Sequence, residues 1–291
     1  MPTAALTRTA AAKVNLTLEI TGRRDDGYHT LQSLVVFTEI ADTLRFTFTR
    51  NGTLSVAVSG PEAGTLTGDD SNLALRAARM VQDRTGDQSG VSIALEKHIP
   101  LQAGLGGGSA DAAAAVAACW ATWAGSDMPP ISDTDLAYEL GADVPVCRHG
   151  RAAMMRGIGE VIHPIGRFPS AWLVLVNPRI NVPTRDVFKT FEAPFSQQDT
   201  GPGGLNSFQA LCEYVGSHHN DLTDAAVRIA PPIDDVLTAL QSTEKCAAAR
   251  MSGSGPTCFG LYESSESARQ AAETLATTHP AWWVRPTPII T

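Results

Sequence analysis

Val14, Leu16, Leu18 and Ile20 alternate with Lys13, Asn15, Thr17 and Glu19, and a period of two predicts a strand with one buried face and one polar face. Lys13 and Asn15 then share the polar face. The same alternation in Leu44, Phe46, Phe48 and in Leu54, Val56, Val58 predicts two more strands, with Asn51-Gly52 between them as a hairpin signal. Asn72 to Thr85 reads as a helix, Val91, Ile93 and Leu95 as a strand, and Ser109 to Trp123 as an Ala-rich helix behind a run of glycines. Ser132 and Asp135 resemble a capping box, Leu136 and Leu140 follow, and Gly141 supplies a stop. Asp143 falls just beyond, before Pro145.

The patterning pauses over Ile165 to Ser170, which divides the chain into domains at 1–165 and 166–291. In the second part Trp172 to Val176, Ala247 to Met251, Cys258 to Leu261 and Trp282 to Val284 read as strands, and Ser265 to Ala276 as a helix. Pro194 to Gly204 is rich in Pro, Gly, Gln and Ser and reads as an exposed loop. No internal repeat is present, and the elements suggest an α/β sandwich rather than a bundle.

Composition narrows the chemistry. The 291 residues are 43% hydrophobic and 18% charged, enough to fill a substantial core. A net charge of -8 argues against nucleic acid or an anionic membrane held by general electrostatics. A bound phosphate then needs a local device. The five cysteines are odd in number and lack Cys-x-x-Cys or Cys/His spacing, so neither a disulfide framework nor a metal site is expected, and a reducing cytoplasm fits. Residues 1–13 lack the apolar core of a signal peptide, and Ala103 to Gly125 is Gly, Ala and Ser around Asp111 rather than a membrane span.

The local device is the run Pro100, Leu101, Gln102, Ala103, Gly104, Leu105, Gly106, Gly107, Gly108, Ser109, Ala110. It follows a strand and opens a helix, so backbone N–H groups and the helix dipole meet where an anion would sit, and glycine allows that approach. A flexible turn before an Ala-rich helix explains the glycines equally well. No Gly-Lys-Ser/Thr completes a P-loop, the third glycine of a dinucleotide fingerprint is replaced by Ser109, and no His-Arg-Asp or Asp-Phe-Gly segment of a protein kinase exists.

Together with Ala12-Lys13-Val14-Asn15-Leu16 and the Gly-rich turn from Met251 to Phe259, the loop resembles the GHMP kinases, named for galactokinase, homoserine, mevalonate and phosphomevalonate kinases. Thr21 to His29, Leu140 to Val146 and Pro178 to Phe188 resemble the branch of that family acting on a cytidine-diphosphate-linked methylerythritol. The resemblance runs from about Ala10 to Phe259. It implies ATP- and Mg2+-dependent phosphorylation of that substrate's 2-hydroxyl in non-mevalonate isoprenoid precursor biosynthesis. It also implies an α+β fold in two domains, an N-terminal domain like ribosomal protein S5 domain 2 and a ferredoxin-like C-terminal domain, with an active site in the cleft between them. Gln102 and Ala103 stand where many members have glycine, which makes the first half of the loop stiffer or shifts the phosphates toward Gly104 to Ser109.

Phosphoryl transfer asks for a group that activates the hydroxyl and for charges that align oxygens. Asp143 is the expected base and Lys13 its cationic partner, against the plain alternatives of a turn aspartate and a solvated lysine. Asn15 addresses the same ligand. Ser109 contacts phosphate or magnesium, or else caps its helix. The resemblance assigns Tyr28, His29, Phe188 and Thr184 to the cytidyl substrate, two aromatics sandwiching the base while the histidine meets its edge. Asn72 and Lys97 are expected near adenine, with a helix cap and a surface charge as their ordinary roles. Two other readings stay open: another GHMP small-molecule kinase of the homoserine or mevalonate type, and a catalytically silent nucleotide-binding protein. Oligomeric state is not legible.

Overall fold

The computed structural model describes residues 5–126, 130–192 and 194–291. In chain order the elements are β1 (Leu6–Asn15), β2 (Glu19–Arg23), β3 (His29–Thr49), β4 (Leu54–Ser59), α1 (Leu73–Thr85), β5 (Gly90–Glu96), α2 (Gly107–Trp123), α3 (Asp133–Glu139) and α4 (Val144–His149). They continue with β6 (Ala153–Gly157), β7 (Val161–Pro164), β8 (Trp172–Asn177), α5 (Thr184–Thr190), α6 (Phe208–Ser217), α7 (Thr223–Ile229), α8 (Pro232–Gln241), β9 (Ala248–Met251), β10 (Cys258–Tyr262), α9 (Ser265–Thr278) and β11 (Trp283–Pro288).

Contacts group these elements into two compact units that interleave along the chain. The first holds the chain up to Ala12, Ile40–Leu101 and Gly106–Gly150; the second holds Lys13–Glu39, Gln102–Leu105 and Arg151–Thr291. Sequence order puts a single division near residue 165. The interleaving arises because β1 and β3 are long enough to give residues to both units.

In the first unit β5 pairs antiparallel with Thr43–Thr49 of β3 and parallel with β4. The hairpin expected at Asn51-Gly52 therefore does not form, because β5 is inserted between the two strands it would have joined. Asn51 still makes a local turn, its Oδ1 accepting from Thr49 Oγ1 at 2.6 Å and from the Thr53 N–H at 3.1 Å. Gly90 allows the insertion: a Cβ there would lie 2.2 Å from the Thr53 carbonyl oxygen. The apolar face of this sheet, with Phe46, Ile93 and Leu95 all inaccessible to solvent, packs in one core with α1 and α2. Those helices meet through Ala74, Ala77 and Ala78 on one side and Ala112, Ala115 and Ala118 on the other, small residues that let two backbones approach.

In the second unit the first half of β3 pairs with β2 and with β6, and β6 with β7. A separate antiparallel sheet has the order β11-β8-β10-β9. β8, β9, β10, β11 and α9 fall close to their expected spans, whereas α4 to α8, β6, β7 and the first half of β3 carry no clear alternation. The strand expected from Lys13 to Ile20 breaks at Leu16 and Thr17, and its polar face is not exposed: Lys13, Asn15, Thr17 and Glu19 are all buried. Their polar atoms are met internally, as by Gln32, whose amide donates to Glu19 Oε2 at 2.7 Å. The loop at 194–204 is anchored, since the Ser196 N–H reaches the Ile20 carbonyl at 2.8 Å and the Asp199 N–H reaches Gln32 Oε1 at 3.0 Å.

Gly90→Ala is expected to lower unfolding free energy by about 2 kcal/mol or more, because the added methyl meets backbone that cannot turn aside; a urea titration with an unchanged melting profile would show that β5 tolerates it.

Candidate active site

The glycine-rich loop contributes residues to both units. In the second, Gly104 has φ +73 and its Cα faces the turn after β9 so closely that a Cβ would lie 2.3 Å from the Ser252 carbonyl oxygen. Only glycine combines that φ with that approach. Gln102 also has positive φ, +50, so the replacement of glycine noted in the sequence falls at a left-handed position that costs a side chain roughly 1 kcal/mol.

The loop is fixed to the turn by hydrogen bonds. Ser252, fully buried, accepts at Oγ from the Asn15 N–H at 3.1 Å and donates to the Gly104 carbonyl at 2.9 Å. The Thr257 N–H reaches the Ala103 carbonyl at 3.3 Å, and the Lys13 N–H reaches that of Leu105 at 2.9 Å. Asn220 braces the turn from behind, donating to the carbonyls of Met251 and Gly253, each at 2.8 Å. Thr184 Oγ1 lies 2.8 Å from Ser254 Oγ.

Lys13 is 2% exposed, and its ammonium donates to Asn15 Oδ1 at 2.8 Å. Asn15 in turn donates to Ser33 Oγ at 2.7 Å. The solvated-lysine alternative falls away. Asn15 orients Lys13 through its Oδ1 and is itself held through its amide nitrogen by Ser33.

In the first unit α2 starts at Gly107, two residues before the expected Ser109, with Gly106 as N-cap at φ 64 and no side-chain cap bond. Ser109 is thus inside the first turn and does not cap it. The Ala110 N–H bonds the Gly106 carbonyl at 2.8 Å, which leaves the N–H groups of Gly107, Gly108 and Ser109 outside the helical ladder and pointing outward from a positive dipole end. Asp143 occupies the N-cap position of α4, half-buried, with Pro145 in that helix's first turn. It stands in the turn that joins α3 to α4, where the Val144 N–H meets the Gly141 carbonyl at 3.0 Å.

Asn72 and Lys97 are both engaged within the chain. Asn72 caps α1, accepting from the Ala74 N–H at 3.0 Å and donating to the Thr67 carbonyl at 3.0 Å. Lys97, 1% exposed, is an ion-pair centre rather than a surface charge: its ammonium contacts Asp42 and lies 2.7 Å from Asp111 Oδ2. Burial pulls the Lys97 ammonium down, but the two carboxylates outweigh it and the net direction is up. Burial pushes Asp111 up to about 7.

The base-binding candidates partly assemble in the second unit. His29 opens β3 and stacks on Phe188, with centroids 5.4 Å apart and planes at 30°, while Phe191 meets it edge-on at 5.9 Å. Burial, then the nearby Arg23 charge, lowers the His29 pKa, so the ring is neutral near pH 7 and offers one donor and one acceptor. Tyr28 is 53% exposed, and its backbone bonds the Arg24 N–H and the Asp26 carboxylate.

Family models match both parts of the chain, the "GHMP kinases N terminal domain" at residues 72–151 and the "GHMP kinases C terminal" at 203–281. The chain belongs to the GHMP kinase family. Among GHMP kinases, a protein of Paramagnetospirillum magneticum named 4-diphosphocytidyl-2-C-methyl-D-erythritol kinase is 46% identical over 97% of both chains. One of Cereibacter sphaeroides with the same name is 46% identical over 95% of this chain and 96% of its own. A crystal structure of 4-(cytidine 5'-diphospho)-2C-methyl-D-erythritol kinase superposes with a TM-score of 0.78 at 33% identity, covering 98% of this chain and all of that one. The two-domain α+β fold expected for a GHMP kinase is thereby the fold of this chain.

Ser252, Asn220, Ser33 and Phe191 were not legible as site residues. Only the Gly-rich turn around Ser252 carried a signal, and it names the turn rather than the hydroxyl. No helix among the described residues is long and apolar enough to cross a membrane.

Gly104→Ala is expected to weaken ATP binding at least tenfold with far-ultraviolet dichroism unchanged, since the methyl must push the loop off the Ser252 turn; parental affinity in an equilibrium titration would contradict the close approach. For Asp111 the folded pKa of about 7 lies above its ordinary value of 3.8, so its stabilising proton is fully held below that ordinary value and lost as pH rises through 7. Asp111→Asn is expected to gain in Tm over the parent progressively from pH 5 to pH 8, and a constant difference across that range would refute the shift.

Proposed function

We propose that the chain transfers the γ-phosphoryl group of ATP to the 2-hydroxyl of 4-diphosphocytidyl-2-C-methyl-D-erythritol, a step toward isoprenoid precursors in the non-mevalonate route. The carrying observation is the identity of 46% along 97% of a protein bearing that name.

Each residue takes a role suited to its surroundings. Asp143 accepts the proton of the 2-hydroxyl as its oxygen attacks the γ-phosphorus, and the bond to the β-phosphate oxygen breaks with its electron pair leaving on ADP. Lys13, held by Asn15, supplies the cation beside the attacking oxygen. The N–H groups of Gly107, Gly108 and Ser109 meet the phosphates, and Pro100 to Ala110 forms the cradle. The residues fit a polyphosphate, because uncapped donors at a dipole's positive end want an anion.

Mg2+ belongs with the phosphates. It would be held chiefly through phosphate oxygens and water. It would neutralise charge developing on the transferred group. His29 and Phe188 take the cytosine, with Tyr28 and Thr184 as further contacts; the neutral His29 ring matches the donor and acceptor edge of that base. A cytoplasmic location accords with an odd number of cysteines that lack Cys-x-x-Cys spacing. The chain divides for this purpose at 1–165 and 166–291.

An assay coupling ADP release to NADH oxidation tests the reading: the cytidyl substrate should be turned over, with homoserine, mevalonate and galactose at background. Preference for any of the three would overturn the substrate, and ATP binding without turnover of any would favour the silent nucleotide-binding protein. Asp143→Asn should cut kcat by about 10²–10⁴ while leaving both KM values near parental.

A further inference from the structure

The buried ion cluster of the first unit joins the two stems of the glycine-rich loop. Asp42, on β3, accepts at Oδ1 from the backbone N–H groups of His98 at 2.6 Å and Ile99 at 2.9 Å, the residues that lead into Pro100. Its other oxygen takes the Lys97 ammonium, and the same ammonium reaches Asp111, which lies one turn into α2. One side chain thus connects the strand that enters the loop with the helix that leaves it.

The two stems also touch. A Cβ added to Gly107 would stand 3.1 Å from Ile99 Cγ2 and 3.4 Å from Lys97 Nζ, so the first turn of α2 rests directly on the incoming strand and on the ammonium. Asp111 Oδ1 is buried without a hydrogen-bond partner. Burying one ammonium with two carboxylates is costly, and an apolar group of the same volume often leaves a core as stable or more so. What charged atoms add that methyl groups do not is direction, since each hydrogen bond fixes where a backbone segment stands.

We propose that Lys97, with Asp42 and Asp111, is a positioning residue for the nucleotide, setting the angle at which the first turn of α2 presents its N–H groups to a polyphosphate. Lys97 acts from behind the loop and touches no phosphate. The proposal rests on the loop being the ATP site but not on which hydroxyl is phosphorylated.

The test replaces charge by volume, in the double variant Lys97→Met with Asp111→Leu. Three quantities are read: Tm, the Kd for ATP by equilibrium titration, and the KM of each substrate with kcat. The expected result is a folded protein with a lowered Tm, because Asp42 is left as a buried carboxylate without its ammonium, together with an ATP Kd and KM raised about tenfold and the other substrate's KM within about twofold. A folded double variant whose ATP Kd and KM stay within about twofold of parental overturns the proposal, because the cluster is then only a structural filler. If the double variant does not fold, Asp111→Asn decides: it keeps the volume and a weaker bond to Lys97, and its ATP Kd should rise about threefold, an unchanged value again overturning the proposal. The binding titration separates the two readings. A parent that turns over no cytidyl compound while the variants weaken ATP binding refutes the substrate and supports the positioning role; a parent that binds no ATP overturns both.

Discussion

The structure depends on backbone meeting backbone at Gly104. No side chain intervenes between that residue and the turn at Ser252, and the contact is kept by hydroxyl and carbonyl groups rather than by apolar burial. Apolar packing tolerates small slides, whereas hydrogen bonds with fixed partners do not. A loop held in this manner has little freedom to lose when an anion arrives, and the cost of ordering it is met during folding instead of binding.

The same economy explains the placement of Lys13. A lysine normally keeps its head in water, but here the strand pattern carries it inward, where Asn15 and Ser33 form a short relay of hydrogen bonds. Its charge acts in a medium of low polarity, so its influence on a nearby oxygen is larger than at a surface. The arrangement also fixes the direction from which that influence comes.

How much of this was legible follows from what a pattern can state. Alternation identified Phe46, Ile93 and Leu95 as buried, and apolar runs marked β8 to β11. It says which residues point inward but not which strand lies alongside, so the Asn51-Gly52 signal was read as a hairpin while β5, some forty residues later, took the place. The family motifs supplied the loop, Asp143 and the aromatic pair. Motifs do not show where a polar atom finds its partner, so neither the ion pairs of Lys97 nor the bonds that join Lys13, Asn15 and Ser33 were legible. Ser252 is separated from Asn15 by 237 positions, and no local signal marks a serine hydroxyl that bridges such a span. The four helices from α5 to α8 are seven to ten residues long, too short for a periodic stripe to be distinctive.

The insertion of β5 between β3 and β4 has a consequence for how the protein is made. During synthesis β3 and β4 are complete well before Gly90 to Glu96 leaves the ribosome, and neither can close on the other in the final arrangement. Two strand edges rich in Phe, Leu and Val therefore wait, with α1 already able to form, for a third strand to arrive between them. One of the pairings that follows is parallel and spans nearly forty residues, a slow kind of closure. The interval in which those edges stand open is when the nascent chain is most exposed to association with its neighbours.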